Sequence, residues 1–327
     1  MIQINRKIVS IVLALILLTV SVAACSKASD KPKVDENTVA IVNNEEIDSE
    51  IFKKNFSIVE KIYNENYTEN IWSQEINGKT VLEIVKGQVL DKLITEELIR
   101  QESENKKISV EDTKVNETYD AFKEHLEQDE ELKKFYEEKN LNEEFVKKQI
   151  KMELLVQEYE KALYEELGLN DQEKLNEITK DYVVQVHAKH ILVDDEKLAK
   201  DIIEKLEAGE DFEKLAKENS TDPSAEQNNG DLGYFQRGQM LPEFEQAAFK
   251  MNVGDISDPV KTQHGYHVIK LEDKKTLEDL KEETPEEQLA FQRKNVEEIV
   301  KQEKFIEKIE ELKAKANIEK FEENLKW

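Results

Sequence analysis

VVQVHAKHILV at residues 183–193 and GYHVIKLED at residues 265–273 stand out from a 327-residue chain in which 37% of residues are charged. Both stretches are rich in β-branched residues and read as strands. A period of two puts Val186, Ala188, His190 and Leu192 on one face of the first, and His267, Ile269 and Leu271 on one face of the last. As neighbours, these strands would set His190 beside His267 on a half-buried face. Between Tyr182 and Asp273 fall six of the nine glycines, three of the five prolines and four of the five histidines, so any chemistry is expected here.

Working outward, a helix is expected from about Asp195 to Ala208, stopped by Gly209, and a second from Asp211, an aspartate cap, to about Glu218. The turn-rich STDPSAEQNNGDLGYFQRGQM (220–240) follows, then a short helix with Pro242 in its first turn, then MNVGDISDPV (251–260). The order is strand, helices, loop, helix, strands.

HAKHILV (187–193), DFEKLAKENSTD (211–222), GDLGYFQRGQMLPEF (230–244) and VGDISDPVKTQHGYHVIKL (253–271), in this order, resemble the parvulin family of peptidyl-prolyl cis-trans isomerases. With the remainder of the chain, the protein is similar to the PrsA-type foldase lipoproteins of Gram-positive envelopes. The resemblance implies an α+β fold. A parvulin-like domain at 181–274, a small antiparallel sheet with surrounding helices, would be inserted in a mostly α-helical chaperone-like domain. That host domain would be built from residues 38–180 and a C-terminal helical segment at 275–327.

The N-terminus has a basic pair, Arg6 and Lys7, an apolar run from Ile8 to Val20 and small residues before Cys25. The run is shorter than the roughly 20 residues a membrane span needs, so residues 1–24 read as an export signal. Val22–Cys25 resemble a lipobox, which implies acylation of Cys25 and cleavage before it. Cys25 is the single cysteine, so the mature chain has no internal disulfide and no cysteine nucleophile. Losing Arg6 and Lys7 with the leader takes the formal charge from −26 to −28. Such an excess repels nucleic acid and an anionic bilayer surface, leaving a lipid on Cys25 as the membrane attachment.

Residues 25–37 are polar and aperiodic, a tether. TVAIVNNEEI (38–47) reads as a strand, a turn and an edge segment, after which Asp48 caps a helix. Thr80 and Glu83 form a capping box before a helix with Leu82, Val85, Val89 and Leu93 on one face. A long helical reach is expected from Asn116 to Leu167, with Phe145, Met152, Val156, Tyr159 and Leu163 in one stripe and Gly168 as its stop. Residues 286–327 read as helix again, with Phe305, Ile309, Leu312 and Ala316 in a stripe that one helix cannot bury alone. Its expected partner is the N-terminal helical region. The striped helices are compatible with a homodimer through that region, although nothing in the pattern demands one.

The parvulin resemblance implies Leu232, Met240 and Phe244 as a pocket for a proline ring. It implies His190, Asp222, Thr262 and His267 as a polar network beneath, with His264 at the rim, where many relatives carry a small hydroxyl residue. Rotation about an X-Pro bond faces a resonance barrier of about 18–20 kcal/mol. A catalyst need only favour the twisted amide, with no covalent step and no cofactor. His187-x-x-His190 and His264-x-x-His267 have a metal-like spacing, but residues three apart on a strand point to opposite faces, which argues against a metal site. Some parvulins select phosphorylated clients through a basic cluster after the first strand. Here that region reads VDDEKLAK, so phosphate selection is not expected. The expected partners are unfolded exported proteins containing X-Pro bonds. The competing reading is a holdase whose parvulin-like domain only binds clients. A solute-binding lipoprotein is disfavoured, because no two-lobed α/β pattern appears.

Overall fold

A computed structural model describes residues 37–76, 78–282 and 284–325. The expected signal segment, the lipobox at Cys25, nearly all of the tether and Trp327 lie outside them. The chain divides into two compact units, one holding the residues up to Leu167 with those from Gln302 onward, the other holding Gly168–Lys301. Among the described residues no helix is long and apolar enough to cross a membrane.

The first unit begins with a hairpin of β1 (Thr38–Val42) and β2 (Glu45–Asp48), turned at Asn43 with φ 55°. The Asp48 carboxylate accepts the Glu50 N–H at 2.6 Å and starts α1 (Ser49–Asn66). A two-residue hairpin, β3 (Glu75–Ile76) and β4 (Lys79–Thr80), leads into α2 (Val81–Lys106). Thr80 and Glu83 close a reciprocal capping box there. Val81, Val85, Val89 and Leu93 on α2 are buried with Phe52 and Phe56 of α1 and Val39 and Val42 of β1.

The expected long reach from Asn116 is three helices, α3 (Asp112–Leu126), α4 (Glu130–Glu138) and α5 (Glu143–Glu166). Side-chain caps cause the breaks. Asp129 accepts the Leu132 N–H at 2.9 Å, Asn142 accepts the Phe145 N–H at 3.0 Å, and Asn140 sits at φ 52° between them. On α5, Phe145, Val156, Tyr159 and Leu163 are buried, and Gly168 at φ 69° follows its end.

The C-terminal segment completes this unit. Phe305 and Ile309 are buried with Ile99, Val156, Tyr159 and Leu163, the Tyr159 and Phe305 rings lying 6.5 Å apart at 66°. The expectation of helix to the end of the chain is corrected. Helix α11 (Glu286–Lys315) stops, and the chain turns into β9 (Ile318–Lys320), antiparallel to β1 in a sheet of order β2-β1-β9. β1 is a short strand whose second edge would otherwise be unpaired, and Phe321 and Leu325 beyond β9 are buried. Lys86 Nζ donates to the Leu325 carbonyl at 2.7 Å, and Asn324 Nδ2 donates to the Thr38 carbonyl at 2.8 Å.

The second unit opens with α6 (Gln172–Thr179) and is built on an antiparallel sheet of order β6-β5-β8-β7. Its strands are β5 (Val183–Val193), β6 (Asp231–Gln236), β7 (Val260–Thr262) and β8 (Gly265–Thr276). In the central pair Ala188 faces Leu271, His190 faces Ile269 and Leu192 faces His267. Helices α7 (Glu196–Glu207) and α8 (Phe212–Asn219) cover one face, burying Ala199, Ile202, Leu206 and Leu215 against Ile191, Val193 and Val268. The short α9 (Ala225–Asn228) follows the α8 loop, and α10 (Pro242–Lys250) covers the other face. There Phe244, Ala248 and Phe249 meet Val186, Ala188, Phe235, Ile269 and Leu271. This is the α+β, parvulin-like domain held within helical N- and C-terminal segments.

Candidate active site

Four elements converge at one end of this sheet. β5 carries His190 and β8 carries His267, both on the α10 face and only 5% and 6% exposed. β7 carries Thr262, also buried, and the loop between α8 and α9 carries Asp222. That loop lies against the end of β5: Thr221 N–H donates to the Leu192 carbonyl at 2.7 Å, and Leu192 N–H donates to Ser220 Oγ at 3.1 Å. β6 approaches β5 closely at the same place. Gly230 has φ 78°, and a Cβ there would stand 2.4 Å from the His190 carbonyl oxygen, so no larger residue fits.

The polar groups form one chain. His190 Nε2 lies 2.7 Å from Asp222 Oδ2, His190 Nδ1 lies 3.1 Å from His267 Nδ1, and His267 Nε2 lies 2.9 Å from Thr262 Oγ1. The Thr262 oxygen accepts the His264 backbone N–H at 3.1 Å. With Asp222 ionised and both imidazoles neutral, only one assignment satisfies every contact. His190 Nε2–H donates to the carboxylate, so His190 Nδ1 accepts. His267 Nδ1–H then donates to it, and His267 Nε2 accepts the Thr262 hydroxyl.

Both imidazoles are neutral in this arrangement, as their surroundings require. Burial lowers the His190 pKa, against the opposing pull of the Asp222 hydrogen bond and charge. Burial likewise pushes His267 down to about 4, with His190 and His264 pushing the same way. Burial pushes the Asp222 carboxyl up, but the two hydrogen bonds from Ser224 and the His190 contact outweigh it, and its pKa lies below the usual value.

Above this chain lies apolar surface. The Phe244 ring meets His190 at 5.9 Å and 85° and His267 at 5.2 Å and 77°, edge to face with both. Phe244 is 3% exposed, whereas Leu232 and Met240, in the same cluster, are half-buried. Of the residues expected from sequence, His190, Asp222, Thr262, His267 and Phe244 come together directly, with Leu232 and Met240 beside them. His264 is exposed and joins through its backbone N–H, its ring reaching only Gln263 Nε2, at 3.5 Å. His187 points to the other face, where its Nε2 lies 2.7 Å from Asp231 Oδ1. Sequence reasoning missed Ser220 and Ser224, which flank Asp222. The signal was present in the Asp-x-Ser spacing, a pattern in which the carboxylate caps the backbone two residues on.

Residues 185–273 match the family model of the PPIC-type PPIase domain, and residues 1–160 match that of the SurA-like N-terminal domain. Fold and match together define the class, a parvulin-type peptidyl-prolyl cis-trans isomerase. Along its whole length the chain is 38% identical to the foldase protein PrsA of Caldanaerobacter subterraneus subsp. tengcongensis, over 98% of each protein. It is 31% identical to PrsA of Clostridium tetani, again over 98% of each. The chain belongs to the PrsA foldase family. Among solved structures, PrsA of Bacillus anthracis is 34% identical and superposes with a TM-score of 0.37, covering 69% of this chain and 94% of that one.

Proposed function

We propose that the protein is a membrane-anchored extracytoplasmic foldase that catalyses X-Pro isomerisation in exported proteins and assists their folding after translocation. The observation that carries this reading is the juxtaposition of an apolar cluster, with half-buried Leu232 and Met240 at its margin and buried Phe244 within it, and the His190–His267–Thr262–Asp222 chain.

A prolyl ring seated against Met240 and Leu232, over the Phe244 ring, would leave its amide facing the polar chain. Exclusion of water there weakens solvation of the planar, charge-separated amide, whose resonance is the barrier of about 18–20 kcal/mol. The two imidazoles are neutral, and the one charge in the chain, the Asp222 carboxylate, is taken up by His190 and Ser224. The Thr262 hydroxyl and the His264 N–H are both spent inside the chain, on His267 Nε2 and on Thr262 Oγ1, so the network orders the floor beneath the twisting bond instead of donating to it. His190 and Asp222 hold the orientation of those groups rather than attacking the substrate. Uncatalysed X-Pro exchange takes tens to hundreds of seconds, slow enough to limit folding of an exported chain.

The lipobox-like Val22–Cys25 supports anchoring through lipid on Cys25, since diacylation gives durable attachment that a single chain does not. The test is refolding of an exported client limited by proline isomerisation, with the full chain present. The slow phase accelerates if the protein is an isomerase. Suppressed aggregation with an unchanged slow phase would favour the holdase reading.

A further inference from the structure

The carboxylate that terminates the histidine chain is itself gripped from its other side. Asp222 Oδ2 faces His190, while Oδ1 accepts both the backbone N–H of Ser224 at 2.9 Å and its hydroxyl at 2.8 Å. Pro223 between them fixes φ and has no N–H, so both donors of Ser224 converge on one oxygen. Asn228 Nδ2 donates to Ser224 Oγ at 3.3 Å, occupying an oxygen lone pair and leaving the hydroxyl hydrogen for Asp222. Ser220 makes a different tie. Its Oγ accepts the Leu192 N–H at 3.1 Å and the Asp222 N–H at 3.3 Å, fastening the loop two residues beyond His190 without touching the carboxylate.

We propose that Ser224 is a positioning residue of the isomerase, holding the Asp222 carboxylate ionised and aimed at His190, and thereby setting the direction of every hydrogen bond from Asp222 to Thr262. The inference rests on the isomerase reading of the site. Its logic is proton counting. An ionised Asp222 obliges His190 to carry its hydrogen on Nε2, which fixes His267 as the Nδ1 donor and Thr262 as the donor to His267. A proton taken up anywhere along the chain breaks this order. If it gives His190 a second N–H, the two Nδ1 atoms 3.1 Å apart cannot both donate, so His267 and Thr262 must reverse.

The groups that share this proton come from each neighbouring element. They are Asp222 on the α8–α9 loop, His190 on β5 and His267 on β8; the His264 ring in the β7–β8 turn faces Gln263, and α10 sets the uncharged Phe244 ring against both imidazoles. Coupled groups of this kind titrate together, so a donor on Asp222 lowers the proton affinity of the whole chain.

The test is the pH profile of kcat/KM for an X-Pro peptide with the full chain and its Ser224→Ala, Ser224→Thr and Ser220→Ala variants. It is read beside the side-chain 15N shifts of His190 and His267. Ser224→Ala should move the acidic limb and the 15N titration upward together by roughly one pH unit, a tenfold change in proton affinity. Ser224→Thr, which keeps the hydroxyl, should restore both. Ser220→Ala should lower kcat/KM across the profile without moving the limb, because it loosens the loop and leaves the carboxylate's donors in place. Ser224→Cys, a weaker donor of similar shape, carries the same test should the alanine variant fail to fold. An acidic limb in folded Ser224→Ala or Ser224→Cys that coincides with wild type, or no rescue by threonine, overturns the proposal. A wild-type chain that does not accelerate isomerisation defeats the isomerase reading instead, so the two failures are distinguishable.

Discussion

Replacing Met240 with alanine tests the proline pocket with the least damage to the fold. Met240 is half-buried at the margin of the cluster that holds Phe235, Phe244, Ile269 and Leu271. Full truncation of a buried methionine costs about 2–5 kcal/mol, so a side chain half in water should cost about 1–2 kcal/mol, a few degrees in melting temperature. A prolyl ring packed on that side chain would lose about 1–3 kcal/mol of burial in both bound ground state and transition state. At about 1.4 kcal/mol per tenfold, that is roughly 5- to 150-fold in kcat/KM, appearing first in KM. Met240→Leu conserves volume and should retain most of the activity. Phe244→Ala is a poorer probe. That ring is 3% exposed and packs on both histidines, so its loss costs about 3–5 kcal/mol of stability and confounds binding with folding. The assay is peptide isomerisation beside thermal melting for all three variants. Wild-type kcat/KM in a folded Met240→Ala protein would refute the pocket assignment.

Thr262→Val should destabilise the isomerase-type domain by about 1–3 kcal/mol, because His267 Nε2 and the His264 N–H both lose their partner; melting of Thr262→Val beside Thr262→Ser measures it. Acid should destabilise the same domain. The His267 pKa falls from the ordinary 6.5 to about 4 on folding, so between those values the unfolded chain binds more protons, and stability is lost as pH drops through that window. The lowered pKa of Asp222 adds loss below its ordinary value of 3.8, and urea titrations from about pH 7 to about pH 3 with wild type and His267→Ala check the sign. Truncation after Ala316 removes β9 with buried Phe321 and Leu325, each worth about 1.5–3 kcal/mol, and should lower the melting of the helical unit; an unchanged melt would show that β1 does not need its C-terminal partner. Cys25→Ala should abolish partition of the mature protein into detergent, and a variant still processed and membrane-bound would contradict lipid anchoring.

The isomerase-type domain was legible because its signals are local. Alternation along 183–193 and 265–273 put His190 and His267 on one face, and Asp195, Asp211 and Pro242 marked helix starts close to where they occur. The helical segments were legible as stripes but not as lengths. Nothing in periodicity separates one helix from three when Asp129 and Asn142, ordinary polar residues in a charged sequence, act as caps. β9 was invisible because Ile318–Lys320 is three residues long and becomes a strand only by pairing with β1, some 280 residues earlier. At the site, the resemblance supplied the residues, but sequence could not supply the hydrogen-bond directions that make Ser224 matter or show that Phe244 serves the core as much as the pocket.

The central claim is that the pocket over the His190–His267 chain speeds rotation about an X-Pro bond. The most direct measurement is exchange NMR on an X-Pro peptide, reading cis-trans interconversion at equilibrium with and without a catalytic amount of the full chain. The account predicts an exchange rate that rises in proportion to protein concentration, leaves the cis fraction unchanged, and falls toward the uncatalysed rate with Met240→Ala. Binding of the peptide at the Leu232–Met240 surface with no increase in exchange would contradict it.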